Sequence, residues 1–207
     1  MANDDLISAR GGLLPIQFPF GNFKKKYYKL TTGAAAANVF IGTPVDLDAN
    51  GQATYAVATG TANAIILGSV VGFADTSLAS IPSAMANLAN GAYLPGNTDA
   101  YVLVADDPNQ EFLLQEDTGG SALTAANVGN NVGWKYRSSS GNTTTGYATA
   151  ELQRATASTS TGGSLILTGL YRNINSDGTD NAAGNYAKWI VKITQHRYGP
   201  VTGAQAI

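Results

Sequence analysis

The sequence predicts an all-β protein: a jelly-roll-like or β-tulip-like barrel of about ten short strands with one short helix, preceded by an extended N-terminal arm. Three observations carry this. Short β-branched and aromatic runs recur between residues 26 and 194, clusters of Gly, Asn, Asp and Pro separate them, and only residues 121–129 carry helix-boundary signals.

The arm is residues 1–25 and the remaining 26–207 form a single β-rich domain. Residues 1–23 show neither helical nor strand periodicity, and Pro15 and Pro19 interrupt any regular ladder. Yet Leu13, Leu14, Ile16, Phe18, Phe20 and Phe23 make the segment strongly apolar. An extended arm that buries these side chains on another surface, its own domain's or a neighbour's, gains about 1.5 to 3 kcal/mol for each one fully buried.

Strand character begins at Lys26-Tyr-Tyr-Lys-Leu-Thr-Thr32 and ends there at Gly33. Val39 to Ile41, Val45 to Asp48 and Gln52 to Thr59 follow, and Asn50-Gly51 between the last two is the strongest local hairpin signal in the chain. Ala64 to Leu67 and Val70 to Phe73 are continuous apolar runs, as in strands covered on both faces. Residues 74–99, with Pro82, Gly91, Pro95 and Gly96, read as a long structured loop.

Tyr101 to Ala105 and Glu111 to Glu116 read as two strands joined through the turn Asp106-Asp107-Pro108-Asn109, an acidic hairpin. Beyond it, Ser121 or Thr124 caps a short helix that runs to Val128 and stops at Gly129. Gly133 to Tyr136, Tyr147 to Leu152, Leu165 to Tyr171 and Lys188 to Thr194 complete the strands, with a polar loop at 138–146 and an exposed Asn/Asp/Gly loop at 173–185. In the last strand Trp189, Val191 and Ile193 share one face and Lys188, Lys192 and Thr194 the other, while Ile190 breaks the alternation.

Charged residues make up only 13% of the chain and the net charge is −2, so the surface is neutral and polar, without a basic field to attract nucleic acid. Lys24, Lys25, Lys26 and Lys29 form a local cluster beside Tyr27 and Tyr28, read as snorkelling lysines where arm meets domain. The absence of cysteine excludes disulfides and thiolate metal sites. No apolar run reaches the roughly 18 to 20 residues that span a bilayer, and the acidic N-terminus lacks a signal-peptide core, so synthesis in the cytoplasm and no membrane contact are expected.

Asp106, Asp107, Glu111, Glu116 and Asp117 are the one carboxylate cluster dense enough to suggest a metal or an acid/base pair. The spacing matches no calcium loop, and Asp-Asp-Pro-Asn is good turn chemistry without an ion, so these side chains read as a solvated turn with polar rim contacts. His196 is the single histidine and has no nucleophile elbow to serve; Gly119-Gly-Ser121 and Gly162-Gly-Ser164 sit in turn contexts, and no phosphate-loop frame is present. No cofactor and no catalytic residue is expected.

Three stretches resemble the head decoration, or structural cement, proteins of tailed bacteriophages. Val104-Ala-Asp-Asp-Pro-Asn-Gln-Glu-Phe-Leu-Leu-Gln-Glu-Asp117 is similar to that family's acidic hairpin, with Asp106, Asp107, Pro108, Glu111, Glu116 and Asp117 as its marks. Leu123-Thr-Ala-Ala-Asn-Val-Gly129 with Gly141-Asn-Thr-Thr-Thr-Gly146 resembles its helix and polar loop, and Asn185 to His196 its closing strand. The resemblance covers residues 100–198 in the family order. It implies a non-enzymatic virion protein on the outer surface of the mature capsid, whose partners are the major capsid protein and sibling copies, with a trimer at a threefold position favoured.

Within that expectation the apolar arm is the better candidate for the gripping element than the hairpin. An alternative of another class is a secreted or surface β-module that binds carbohydrate on a platform of Tyr93, Tyr101, Trp134 and Tyr136. A hydrolase with a carboxylate pair ranks last, because sequence supplies no separation between two acids.

Overall fold

A computed structural model describes residues 11–16, 24–30, 37–58, 64–74, 86–87, 91–158, 162–172, 174–175 and 178–199. Fourteen strands order these residues: β1 (Leu14–Pro15), β2 (Lys26–Lys29), β3 (Val39–Phe40), β4 (Pro44–Leu47), β5 (Ala53–Tyr55), β6 (Gly68–Ala74), β7 (Ala86–Asn87), β8 (Gly91–Leu94), β9 (Tyr101–Ala105), β10 (Glu111–Gln115), β11 (Asn131–Gly141), β12 (Ala148–Ser158), β13 (Leu165–Leu170) and β14 (Lys188–Ile193). The protein is all-β, as its alternating patterns require. The expected short helix is a single 3-10 turn, Ala125–Asn127, capped by Thr124 and ended before Gly129, which takes a left-handed φ of 92°.

Two curled sheets form the body, one ordered β2-β9-β6-β4-β5 and the other β1-β10-β14-β13-β11-β12; β3, β8 and β7 make a small third sheet. The strand pairs within the two large sheets are antiparallel. Each large sheet curls back on itself through one parallel bridge: Leu30, next after β2, with Ala53 of β5, and Glu116, next after β10, the strand beside edge strand β1, with Leu152 of β12. Each therefore wraps its own core. The first core holds Leu30, Val45, Leu67, Val70, Val102 and Val104; the second holds Phe112, Leu114, Trp134, Leu152, Leu167, Trp189 and Val191.

The Asn50-Gly51 signal gives the expected hairpin between β4 and β5. Gly51 adopts φ 72°, and the Asp48 carboxylate accepts the N–H groups of Asn50 (2.8 Å) and Gln52 (2.9 Å). The central acidic stretch departs from expectation. Its turn forms, with the Gln110 N–H donating to the Asp107 carbonyl (3.0 Å), but β9 and β10 do not pair. β9 lies between β2 and β6 in one sheet, and β10 beside β14 in the other. The stretch is a crossover that gives one strand to each barrel.

The described part of the arm, residues 11–16, is built into the chain's own fold. Leu13 is 1% exposed in the second core, and Leu14 and Pro15 pair with Leu113 and Phe112 of β10. β1 thereby occupies the side of β10 opposite β14, next to the point where β12 meets Glu116. The Leu13 backbone meanwhile reaches the first barrel, donating to the Gly42 carbonyl (2.9 Å) and accepting the Ser69 hydroxyl. Gly12 (φ 96°) and Gly42 (φ 84°) meet backbone to backbone there, where a Cβ on Gly12 would lie 2.8 Å from the Gly42 oxygen. Phe18, Phe20 and Phe23 lie outside the described residues.

Other expectations shift in detail. Residues 64–67 form no strand and contribute one bridge, Ile66 to His196, which ties the segment after β14 to the segment that leads into β6. β11 runs on to Gly141, into the stretch expected as a polar loop. In β14, Trp189, Val191 and Ile193 face the core as expected, but Lys188 is also buried, at 1% exposure. Asn181 bonds both backbone groups of Lys188, and Asn175 Oδ1 accepts from its Nζ (3.1 Å), so part of the loop expected to be exposed folds over this strand instead.

Candidate functional site

The carboxylates singled out in the sequence separate into two places. Asp106, Asp107, Pro108 and Glu111 stay at the crossover. Asp106 accepts the Tyr28 hydroxyl (2.6 Å), Asp107 accepts the Asn109 N–H (2.9 Å) and pairs with Lys24 (3.4 Å), and Glu111 pairs with Lys192 directly across the ladder (3.7 Å). The Asn109 N–H, ahead of Lys24, holds the Asp107 carboxyl below its ordinary range. Burial, followed by the bond to Asp106, pushes the Tyr28 phenol upward.

Glu116 and Asp117, expected at a solvated rim, are buried at 0% and 2% exposure. Both sit where β10 meets β12. Glu116 Oε1 accepts from Arg154 Nη1 (3.2 Å) and Oε2 from the Trp189 indole N–H (2.8 Å). Asp117 Oδ2 lies 2.7 Å from Lys135 Nζ, and its own N–H donates to the Leu152 carbonyl (2.9 Å). Glu151, opposite Lys135 in the ladder, receives Arg137 Nε (3.1 Å) and lies 3.8 Å from Lys135 Nζ. Three carboxylates and three cations thus form one continuous network across the seam.

Burial raises the Glu116 and Glu151 carboxyls above their ordinary range despite the opposing pull of Trp189 and Arg154 on the first and of Arg137 on the second. Each of the three carboxylates already holds a cation, so the arrangement pins β10, β11 and β12 together. Removing one partner would strand a buried charge, a loss of about 3 to 5 kcal/mol. Among the described residues no group of three or more His, Asp or Glu side chains is placed to hold a metal ion.

The four rings of the expected aromatic platform are not displayed together. Trp134 is 1% exposed in the second core, with Tyr136 edge-on to it at 5.2 Å and its hydroxyl shielded; Tyr93 instead stacks on Phe40 at 5.4 Å in the small sheet. Arg154 is the residue that sequence reasoning missed. It lies in a run, Ala148–Ser158, whose polar and small residues give no sign of burial, and its partners are 37 and 38 residues earlier.

Comparison of the chain with protein-family models, with curated proteins and with solved structures returns no match.

Proposed function

We propose that this chain is a structural virion protein that binds the outer surface of a mature tailed-phage capsid and cements adjacent major capsid protein subunits, without catalysis. The observation that carries the proposal is where the charge goes. Asp46, Asp99, Asp107, Glu111, Glu116, Asp117 and Glu151 are all held in ion pairs within the chain. Seven carboxylates neutralised within the chain, with Glu116, Asp117 and Glu151 buried, lower the desolvation cost of meeting a crowded protein shell. The resemblance of residues 100–198 to decoration proteins points the same way, as does the tightly laced double barrel, suited to transmitting load between two contact points.

Leu13 and its neighbours serve the chain's own fold, so gripping a neighbour falls to the rest of the apolar arm, with Phe18, Phe20 and Phe23 as its anchors. Sibling copies, with a trimer favoured, are the other partners. The test is co-sedimentation with expanded, undecorated capsids of the phage that encodes the protein. The variant Phe18→Ser/Phe20→Ser/Phe23→Ser, which leaves residues 11–16 in place, should sediment at least about tenfold more weakly, as loss of central apolar anchors does at other interfaces. Unchanged sedimentation would remove the arm from the interface.

A further inference from the structure

The Arg154 guanidinium is only partly used by the seam. Nε donates to the Gly119 carbonyl (3.0 Å), and Nη1 to Glu116 (3.2 Å) and to Asn185 Oδ1 (3.0 Å), while Nη2 has no hydrogen-bond partner among the described residues. Arg154 is 7% exposed, yet it lines an open pocket of about 470 Å³ whose walls include Gly120, Ser121, Ala122, Ala155 and Ala157. Asn127 lines it as well; its Oδ1 is taken by the Thr124 N–H (2.8 Å) and hydroxyl (3.1 Å), which leaves its amide N–H groups to donate. The backbone N–H groups of Gly120, Ser121 and Ala122 also have no acceptor among the described residues. The pocket is therefore a set of unspent donors on small, smooth walls.

We propose that this pocket is a peptide-docking site, taking an extended segment of a capsid subunit and receiving one of its main-chain carbonyls on Arg154 Nη2. The site rests on the capsid-binding proposal above and assigns that partner a place on the surface. Donors without matching acceptors select a ligand that presents oxygen. The charge count selects a neutral one, because Glu116, Asp117 and Glu151 are balanced by Lys135, Arg137 and Arg154, leaving no net field to hold an anion. Small wall residues such as Gly120, Ala122 and Ala155 admit a backbone at close range, and among the described residues no aromatic ring lines the pocket for a sugar face to stack on.

The experiment compares wild type, Ala122→Trp and Val57→Trp in co-sedimentation with expanded, undecorated capsids, after near-ultraviolet circular dichroism has established that all three are folded. Ala122 is exposed at the pocket, so tryptophan there occupies it while Arg154 itself is left in the sequence; Val57 is 66% exposed and is not among the residues lining the pocket. The expected result is capsid binding at least about tenfold weaker for Ala122→Trp and unchanged for Val57→Trp, the size of effect that blocking a central contact produces. Equal binding of wild type and Ala122→Trp overturns the pocket while the capsid proposal stands. No capsid binding by wild type overturns both, and glycan-array binding that Ala122→Trp abolishes reassigns the pocket to sugar and also overturns it.

Discussion

His196 is buried at 8% exposure, and its Nδ1 accepts the Tyr198 N–H at 3.0 Å. Its neighbour in the fold is Ile66, buried in the second core, and the Arg197 N–H beside it donates to the Ile66 carbonyl (3.0 Å). Burial lowers its pKa from the ordinary 6.5 more than Asp106, Asp107, Asp46 and the Leu67 backbone raise it. A histidine whose folded pKa is depressed adds stability above its unfolded pKa and loses it as pH falls through the folded one. The contribution of His196 should therefore be lost as pH falls from neutral through its unfolded value of about 6.5, against the opposite contribution of the raised Glu116 and Glu151 carboxyls, and His196→Asn, which keeps an acceptor but cannot titrate, should remove that loss from the profile. Urea unfolding of both proteins across this range reads it; an equal slope in the variant would move the pH dependence elsewhere.

At the scale of elements, β1 does two jobs at once: it sits beside β10 in the wall of the second barrel and fastens its backbone to Gly42 and Ser69 of the first. Leu13→Ala should cost about 2 to 5 kcal/mol in urea unfolding, the range for a fully buried leucine. A loss under about 0.5 kcal/mol, the size of an ordinary surface change, would mean that residues 11–16 do not lace the barrels. The strands were largely legible in the sequence, because alternation and the Asn50-Gly51 turn are local properties. Their partners were not. A turn at Asp107 to Gln110 tells where the chain changes direction and says nothing of which sheet receives each strand. Glu116 and Asp117 read as solvated for the same reason: their compensating cations, Arg154 and Lys135, are brought to them only by closure of the seam. Lys188 looked like the polar side of an amphipathic strand because the asparagines that cover it come from a loop of turn-forming composition.

At the scale of the whole molecule, two small barrels share the central crossover, the β1 lace and the Ile66–His196 bridge, with the Glu116, Asp117 and Glu151 carboxylates turned inward. In the proposed cementing role, modest, largely uncharged interfaces multiplied over a symmetric shell would add up by avidity. Such contacts are insensitive to screening, unlike the phosphate contacts of a nucleic-acid binder. The most direct measurement of the proposed function is co-sedimentation of the purified protein with expanded, undecorated tailed-phage capsids, repeated from about 0.1 M to about 1 M salt, where the Debye length falls from about 10 to 3 Å. Saturable binding that varies less than about threefold across this range is the expected result, since steeply salt-dependent binding is the mark of charge-driven contacts. Protein that stays in the supernatant at every salt concentration would contradict the capsid-cementing function.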